Sequence, residues 1–222
     1  MISKVKKEEW VLDESIPKSY FLNFVMNRII MAIRGLLVFK KINKRAFIGK
    51  NSIIKCRQKI TYGTNFTVGI NCFIDALSYE GILAGNNVSI GKNTTIECTG
   101  SLKEIGRGLV LGDNVGIGSH SFLGCAGGIV IGSDTIIGNF VSFHSENHNY
   151  EKTDIPIRLQ GVNRRGIKVG DNCWIGAKVT LLDGAEVGNG CIIAAGSVVK
   201  AGQYADNAIY GGVPAKFIKP RF

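Results

Sequence analysis

His144 and His148 stand four residues apart, with Glu146 between them, at the head of a stretch that continues through Asn149, Tyr150, Asp154, Arg158, Arg164 and Arg165. They are two of only three histidines in 222 residues. An imidazole titrates near neutrality, so either ring can take the proton from a hydroxyl as that weak nucleophile attacks. Glu146 or Asp154 has the chemistry to orient such a ring through its second nitrogen. Further on stand the cations Lys200, Lys216 and Lys219. Taken singly, a loop histidine or a surface lysine is most often just solvated. What gives these residues weight is where the rest of the chain puts them.

Branched aliphatics recur every six residues, as Ile175, Leu181, Val187, Ile193 and Val199. That period belongs neither to a helix nor to a plain strand. Earlier units open in the same way at Ile90-Gly91, Ile117-Gly118, Ile131-Gly132 and Ile137-Gly138. In each, a bulky residue points inward and a small one near the corner lets the backbone turn, so a hexad makes one side of a triangular coil. Three hexads, about 18 residues, complete a coil, and coils stacked at about 4.8 Å predict a prism roughly 35–40 Å tall. The array breaks after Phe143 and resumes at Ile167, which extrudes a loop over about 144–166 carrying both histidines. A long loop in so regular a fold is usually functional.

The repeats, the segment His148-Asn149-Tyr150-Glu151-Lys152-Thr153-Asp154-Ile155-Pro156-Ile157, the run Asn172-Cys173-Trp174-Ile175-Gly176 and the ending Gly211-Gly212-Val213-Pro214-Ala215-Lys216 resemble the hexapeptide-repeat acyltransferases. Within them the chain is similar to the galactoside, maltose and polysaccharide O-acetyltransferases, over roughly residues 46–218. The resemblance implies an all-β fold, a left-handed parallel β-helix of hexapeptide repeats. The hand comes from the resemblance alone, because general crossover rules favour the right-handed connection. It also implies acetyl-CoA as co-substrate, direct transfer to a sugar hydroxyl, and a general base at the start of the loop, with His148 in the matching position and His144 the second candidate. Ala177, Ala195, Lys200, Lys216 and Lys219 match cofactor-binding positions, and Trp174 either shelters the reacting centre or fills a subunit seam. A backbone N–H near Gly176–Ala177 is the implied oxyanion donor. His120, Asn149 and Tyr150 are the implied acceptor contacts. Family members are homotrimers with each site between two prisms. Lysine stands where galactoside enzymes often have arginine, so bidentate phosphate clamping is in doubt although the charge is kept.

Composition fits one soluble domain with an appendage, residues 1–45 ahead of a β-helix over 46–222 that ends in a cofactor-binding tail at about 205–222. Residues 1–50 hold 11 Lys or Arg against 4 Asp or Glu. Between Tyr20 and Phe39 the pattern predicts an amphipathic helix with Asn23, Asn27 and Arg34 on one stripe. It suits a cap packed on the protein or a peripheral contact with the inner face of an anionic cytoplasmic membrane better than a span, since Arg28 and Arg34 would be costly at the bilayer centre. Lys4, Lys6, Lys7, Glu8 and Glu9 carry no sign of a secretion signal, so a cytoplasmic protein is expected. No recognised nucleic-acid module accompanies the basic residues. The six cysteines show no CxxC pairing and read as reduced core residues. A Cys173 acyl-enzyme is disfavoured for the same reason.

Three other readings stand beside O-acetylation of a sugar or lipid-linked glycan. Acetylation of the amine of an amino sugar nucleotide would use the same base and groove. A γ-type carbonic anhydrase would bind zinc through His120, His144 and His148, but hexad counting puts His120 on a different face, so no metal site is expected. A repeat scaffold would not need the histidine-bearing loop.

Overall fold

The computed structural model describes residues 12–41 and 44–222. The charged cluster from Lys4 to Glu9 lies outside them. One helix, Lys18–Phe39, precedes a stack of coils that begins with the strand Ala46–Ile48. The coils form three parallel sheets. The first face runs from Ala46–Ile48 to Ala208–Gly211 and is closed by the antiparallel strand Lys216–Pro220; the second runs from Ile53–Lys55 to Val198–Val199; the third runs from Ile60–Tyr62 to Gly202–Tyr204. Eight stacked parallel strands on the first face span about 34 Å at the usual strand separation.

Register shows how the hexads produce this. On the first face Trp174 stacks on Ile192 and Ile192 on Ile209, steps of 18 and 17 residues, whereas Ile136 stacks on Trp174 across 38. The excess is the extruded segment between the strands Ser142–His144 and Ile167–Val169. A second excursion raises the step from Ser89 to Gly116 to 27. Ile175, Leu181, Val187, Ile193 and Val199 all point inward and are buried. The strand Ser142–His144 ends at the corner between the second and third faces, with Phe143 stacked between Leu123 and Leu181.

One corner is fixed by an amide ladder that the repeat pattern does not reveal. Asn65, Asn87, Asn114 and Asp134 all adopt positive φ, and each side-chain amide donates to the next residue in the series at 2.8–2.9 Å. Asn and Asp tolerate this left-handed backbone better than other non-glycine residues. Five of the six cysteines are buried within the coils and Cys56 is half-buried; all six are unbridged.

The helix lies on the first coil. Gly35 abuts the Ala46 carbonyl so closely that any Cβ would clash there. Phe39 packs against Tyr62 and Phe66, with centroids 4.8 and 6.4 Å apart. Arg28 sits 3.5 Å over the Phe47 ring and donates to Thr67 Oγ1 at 3.0 Å.

Candidate active site

The loop is a small structure of its own, held by polar contacts. Asn147–His148 pairs antiparallel with Val162–Asn163, which puts His148 opposite Val162 on a short hairpin. Asn149 braces that hairpin: its backbone N–H donates to Gly161 O, its side-chain N–H to Gln160 O, and its carbonyl accepts from the Asn163 amide, all at 3.0–3.1 Å. Asn149 therefore supports the histidine strand, with both ends of its amide committed inside the loop. Gln160 latches the tip, donating to the Lys152 and Ile155 carbonyls at 2.6 and 2.7 Å and accepting from Lys152 N–H at 3.0 Å. Tyr150 and Asp154 are exposed.

Two further anchors join loop to coils. Arg164 pairs with Glu146 at 3.0 Å and with Glu104 at 3.1 Å, which ties the loop to the excursion before Gly106. Glu146, expected as an orienting carboxylate, thus has one oxygen engaged by a guanidinium. Asp183 is 1% exposed, and its carboxylate accepts from the backbone N–H groups of Arg165 and Gly166 at 2.7–3.1 Å. Reading the sequence by reactive residue types passes over Asp183 and Gln160 and gives Arg164 no role. The available signal for Asp183 is a carboxylate in the inward register of Leu181 and Ala185.

His148 is exposed and forms part of the wall of two cavities. One, about 270 Å³, is lined by Glu97, Phe122, His144, Glu146 and His148. The other, about 620 Å³, is lined by His148, Tyr150, Asn163, Arg165 and Asp183 among others. His144 belongs only to the first, where its ring tilts against Phe122 with centroids 5.5 Å apart. A groove of about 720 Å³ on the third face is larger, but no histidine, cysteine or serine lines it.

The remaining candidates lie elsewhere on the prism. His120 has φ +59 at the corner that opens the second face, stacks on Phe140 with centroids 4.9 Å apart, and meets Asn93 at 3.1 Å. That corner is opposite the one from which the loop leaves. Among the described residues no group of three His, Cys, Asp or Glu is arranged to hold a metal ion. Ala177 and Ala195 sit at the same corner as His120, where Gly196 N–H donates to Ala177 O at 2.9 Å and the space beside Gly196 is open. Gly176 N–H is consumed by stacking on Ile193 O at 2.8 Å, whereas Ala177 N–H meets no protein acceptor among the described residues. Trp174 is 56% exposed on the first face. Lys200 follows the last strand of the second face, and Lys216 and Lys219 lie on the exposed C-terminal strand. Cys173 is buried, its thiol donates to Gly188 O at 3.1 Å, and burial pushes its pKa up to about 11.

Comparison with known proteins agrees with this architecture. Residues 166–201 match the model of the bacterial transferase hexapeptide family (six repeats). A relative in Escherichia coli K12, WbbJ, named as a lipopolysaccharide biosynthesis O-acetyl transferase, is 31% identical over 167 residues, 72% of this chain and 71% of its own. Rv3034c of Mycobacterium tuberculosis, named as an acetyltransferase, is 32% identical over 93 residues, covering 42% of this chain and 31% of that one. Among solved structures, a point mutant of AntD, an N-acyltransferase from Bacillus cereus, in complex with dTDP and coenzyme A, superposes with a TM-score of 0.52 at 21% identity over 82% of this chain and 86% of that one. The stacked triangular coils are thus a left-handed parallel β-helix, and the chain belongs to the hexapeptide-repeat acyltransferases.

Proposed function

We propose that the chain is an O-acetyltransferase that moves an acetyl group from acetyl-CoA to a hydroxyl of a sugar or glycan precursor, and that it works as a homotrimer. The observation that carries this reading is the placement of His148, an exposed imidazole on a braced hairpin that borders two cavities. His148 takes the hydroxyl proton as the oxygen attacks the thioester carbonyl, then returns it to the departing thiolate. Ala177 N–H is the donor for the carbonyl oxygen as it becomes negative, since Gly176 N–H is already spent. Lys200, Lys216 and Lys219 face solvent, as cations meeting nucleotide phosphates must. Oxygen rather than nitrogen as the acceptor atom is supported by the similarity to WbbJ.

The separation of the two halves supports the trimer. In one chain Ala177 and Ala195 stand where the second face begins, and the loop departs where it ends. Three extended residues, about 10 Å, lie between those borders. A neighbouring prism supplies the missing edge, so that His148 of one chain works on the donor held by the next.

Mixing two inactive variants tests this arrangement. His148→Ala lacks the base, and Ala195→Trp fills the groove. Thiol release from acetyl-CoA with a panel of hydroxyl sugars should be near background for either alone. Random mixed trimers should recover about a quarter of wild-type turnover, because one site in four combines an intact histidine with an intact groove. Mixtures as inactive as their parents would place both halves in one chain. Turnover only on amino sugars would move the acceptor atom from oxygen to nitrogen.

A further inference from the structure

The helix Lys18–Phe39 is apolar on two sides, and its own prism uses only one. Arg28, Gly35 and Phe39 meet the first coil. On the other side, Leu22, Met26, Ile29, Ile33, Leu36 and Leu37 are each 46–68% exposed. At 100° per residue these six fall on one arc about 100° wide, bordered by the polar stripe of Asn23, Asn27 and Arg34.

Charge identifies what covers that arc. Residues 16–74 contain 11 Lys or Arg and no Asp or Glu, whereas residues 75–222 contain 13 of each. The entire positive excess of the chain therefore sits on the helix and the coils next to it, and the coils bearing the histidines are neutral. Lys40, Lys41 and Arg57 line one cavity of about 200 Å³ with Val38 and Phe39, at the C-terminal end of the helix. A second copy docked on this face would set this excess of cations against itself, with only Asp13 and Glu14 just ahead of the helix as nearby acids among the described residues. An anionic lipid surface neutralises the cations and takes up the apolar arc at once.

We propose that this face docks the enzyme on an anionic bilayer, with the helix lying in the interface plane. The helix is long and apolar enough to cross a membrane, but its packing argues for an interfacial position: Arg28 is held against Phe47 and Thr67, and Gly35 against Ala46, along the first coil. The strand that ends at His144 is fifth of seven on the second face, about 19 Å beyond the first coil. That height suits an acceptor whose glycan stands off the surface.

Co-sedimentation of the full chain with vesicles, read without any turnover, tests docking independently of the transferase chemistry. In 0.1 M salt, binding to equal parts phosphatidylcholine and phosphatidylglycerol should be at least about tenfold tighter than to phosphatidylcholine alone, and should weaken as salt rises. Ile33→Asp with Leu37→Asp should abolish it while leaving the melting temperature within a few degrees, because both side chains are more than half exposed. Lys40→Gln, Lys41→Gln and Arg57→Gln together should weaken it about 100-fold, roughly fivefold per cation. Equal or absent binding of the wild-type chain to both vesicle types would overturn the proposal. So would vesicle binding that the Asp variant retains while its particle mass falls in light scattering, which would assign the arc to a second copy.

Discussion

The coils from Ile167 to Gly211 and the loop that precedes them are stabilised by opposite means. In the coils each role recurs 17 or 18 positions further along, so Ile175 stacks on Ile193 and Leu181 on Val199 in a closed apolar interior. In the loop no contact is repeated. Gln160 latches the tip, Asn149 braces the hairpin, Arg164 bridges two carboxylates, and Asp183 clamps the return to the coils. Repetition builds a rigid wall along which a long, narrow ligand can lie. Single polar contacts place a single imidazole, a job that repetition cannot do.

If that contrast holds, apolar truncation is costly in one region and nearly free in the other. Phe143→Ala empties a fully buried site between Leu123 and Leu181 and should cost about 3–5 kcal/mol in urea unfolding. Ile157→Ala removes an exposed loop side chain and should stay within about 0.5 kcal/mol. Similar losses at both positions would break the comparison. Activity should divide the other way. His148→Ala should lower kcat by about 100-fold or more with little change in KM for acetyl-CoA and none in the unfolding midpoint. Unchanged turnover would pass the role of base to His144, to be tested by His144→Ala.

The same contrast explains what could be read from the chain before its structure. A period of six is visible because it recurs, so the inward positions from Ile175 to Val199, the extruded loop and the helix are all legible. One-off contacts leave little trace. Asp183 acts through backbone N–H groups some 17 residues away, and nothing in Leu182-Asp183-Gly184 marks those partners. The excursion before Gly106 is harder to see than the loop because it lengthens the step on the first face only to 27 residues, against 38 for the loop. Arg28 reads as one more charge near a polar stripe, whereas its guanidinium lies on the packed face over Phe47. Sequence pattern shows which residues face inward, but not which neighbour a polar side chain selects.

Asp183 belongs to both regions and so sharpens the comparison. Asp183→Asn keeps the shape but replaces a carboxylate that accepts from two backbone N–H groups with an amide that has one acceptor, at a cost of about 1–3 kcal/mol. Because those N–H groups belong to the end of the loop, kcat should fall about tenfold while the coils melt only a few degrees lower. A loss of stability with full activity would mean that the clamp does not position His148.

The smallest effect on turnover is expected at Cys173, where the wall comes nearest to a reactive group. Its thiol is buried and donates to Gly188 O, and burial raises its pKa from 9.0 to about 11. At pH 8 only about one thiol in a thousand is then ionised, too few for a nucleophile. Cys173→Ala should keep activity within about twofold, and a larger loss would revive a covalent route. The pH dependence of stability gives an independent reading. The folded chain holds this proton up to about pH 11, whereas the unfolded chain releases it near pH 9, so the folded state binds more protons between those values. Stability is therefore complete below pH 9 and falls as pH rises toward 11, and Cys173→Ala should flatten part of that fall in melting curves taken at pH 8, 9 and 10. An alanine variant whose decline is as steep as that of the wild type would show that the thiol ionises as freely in the wall as in the open chain, and the packed interior would then lose its claim to chemical inertness.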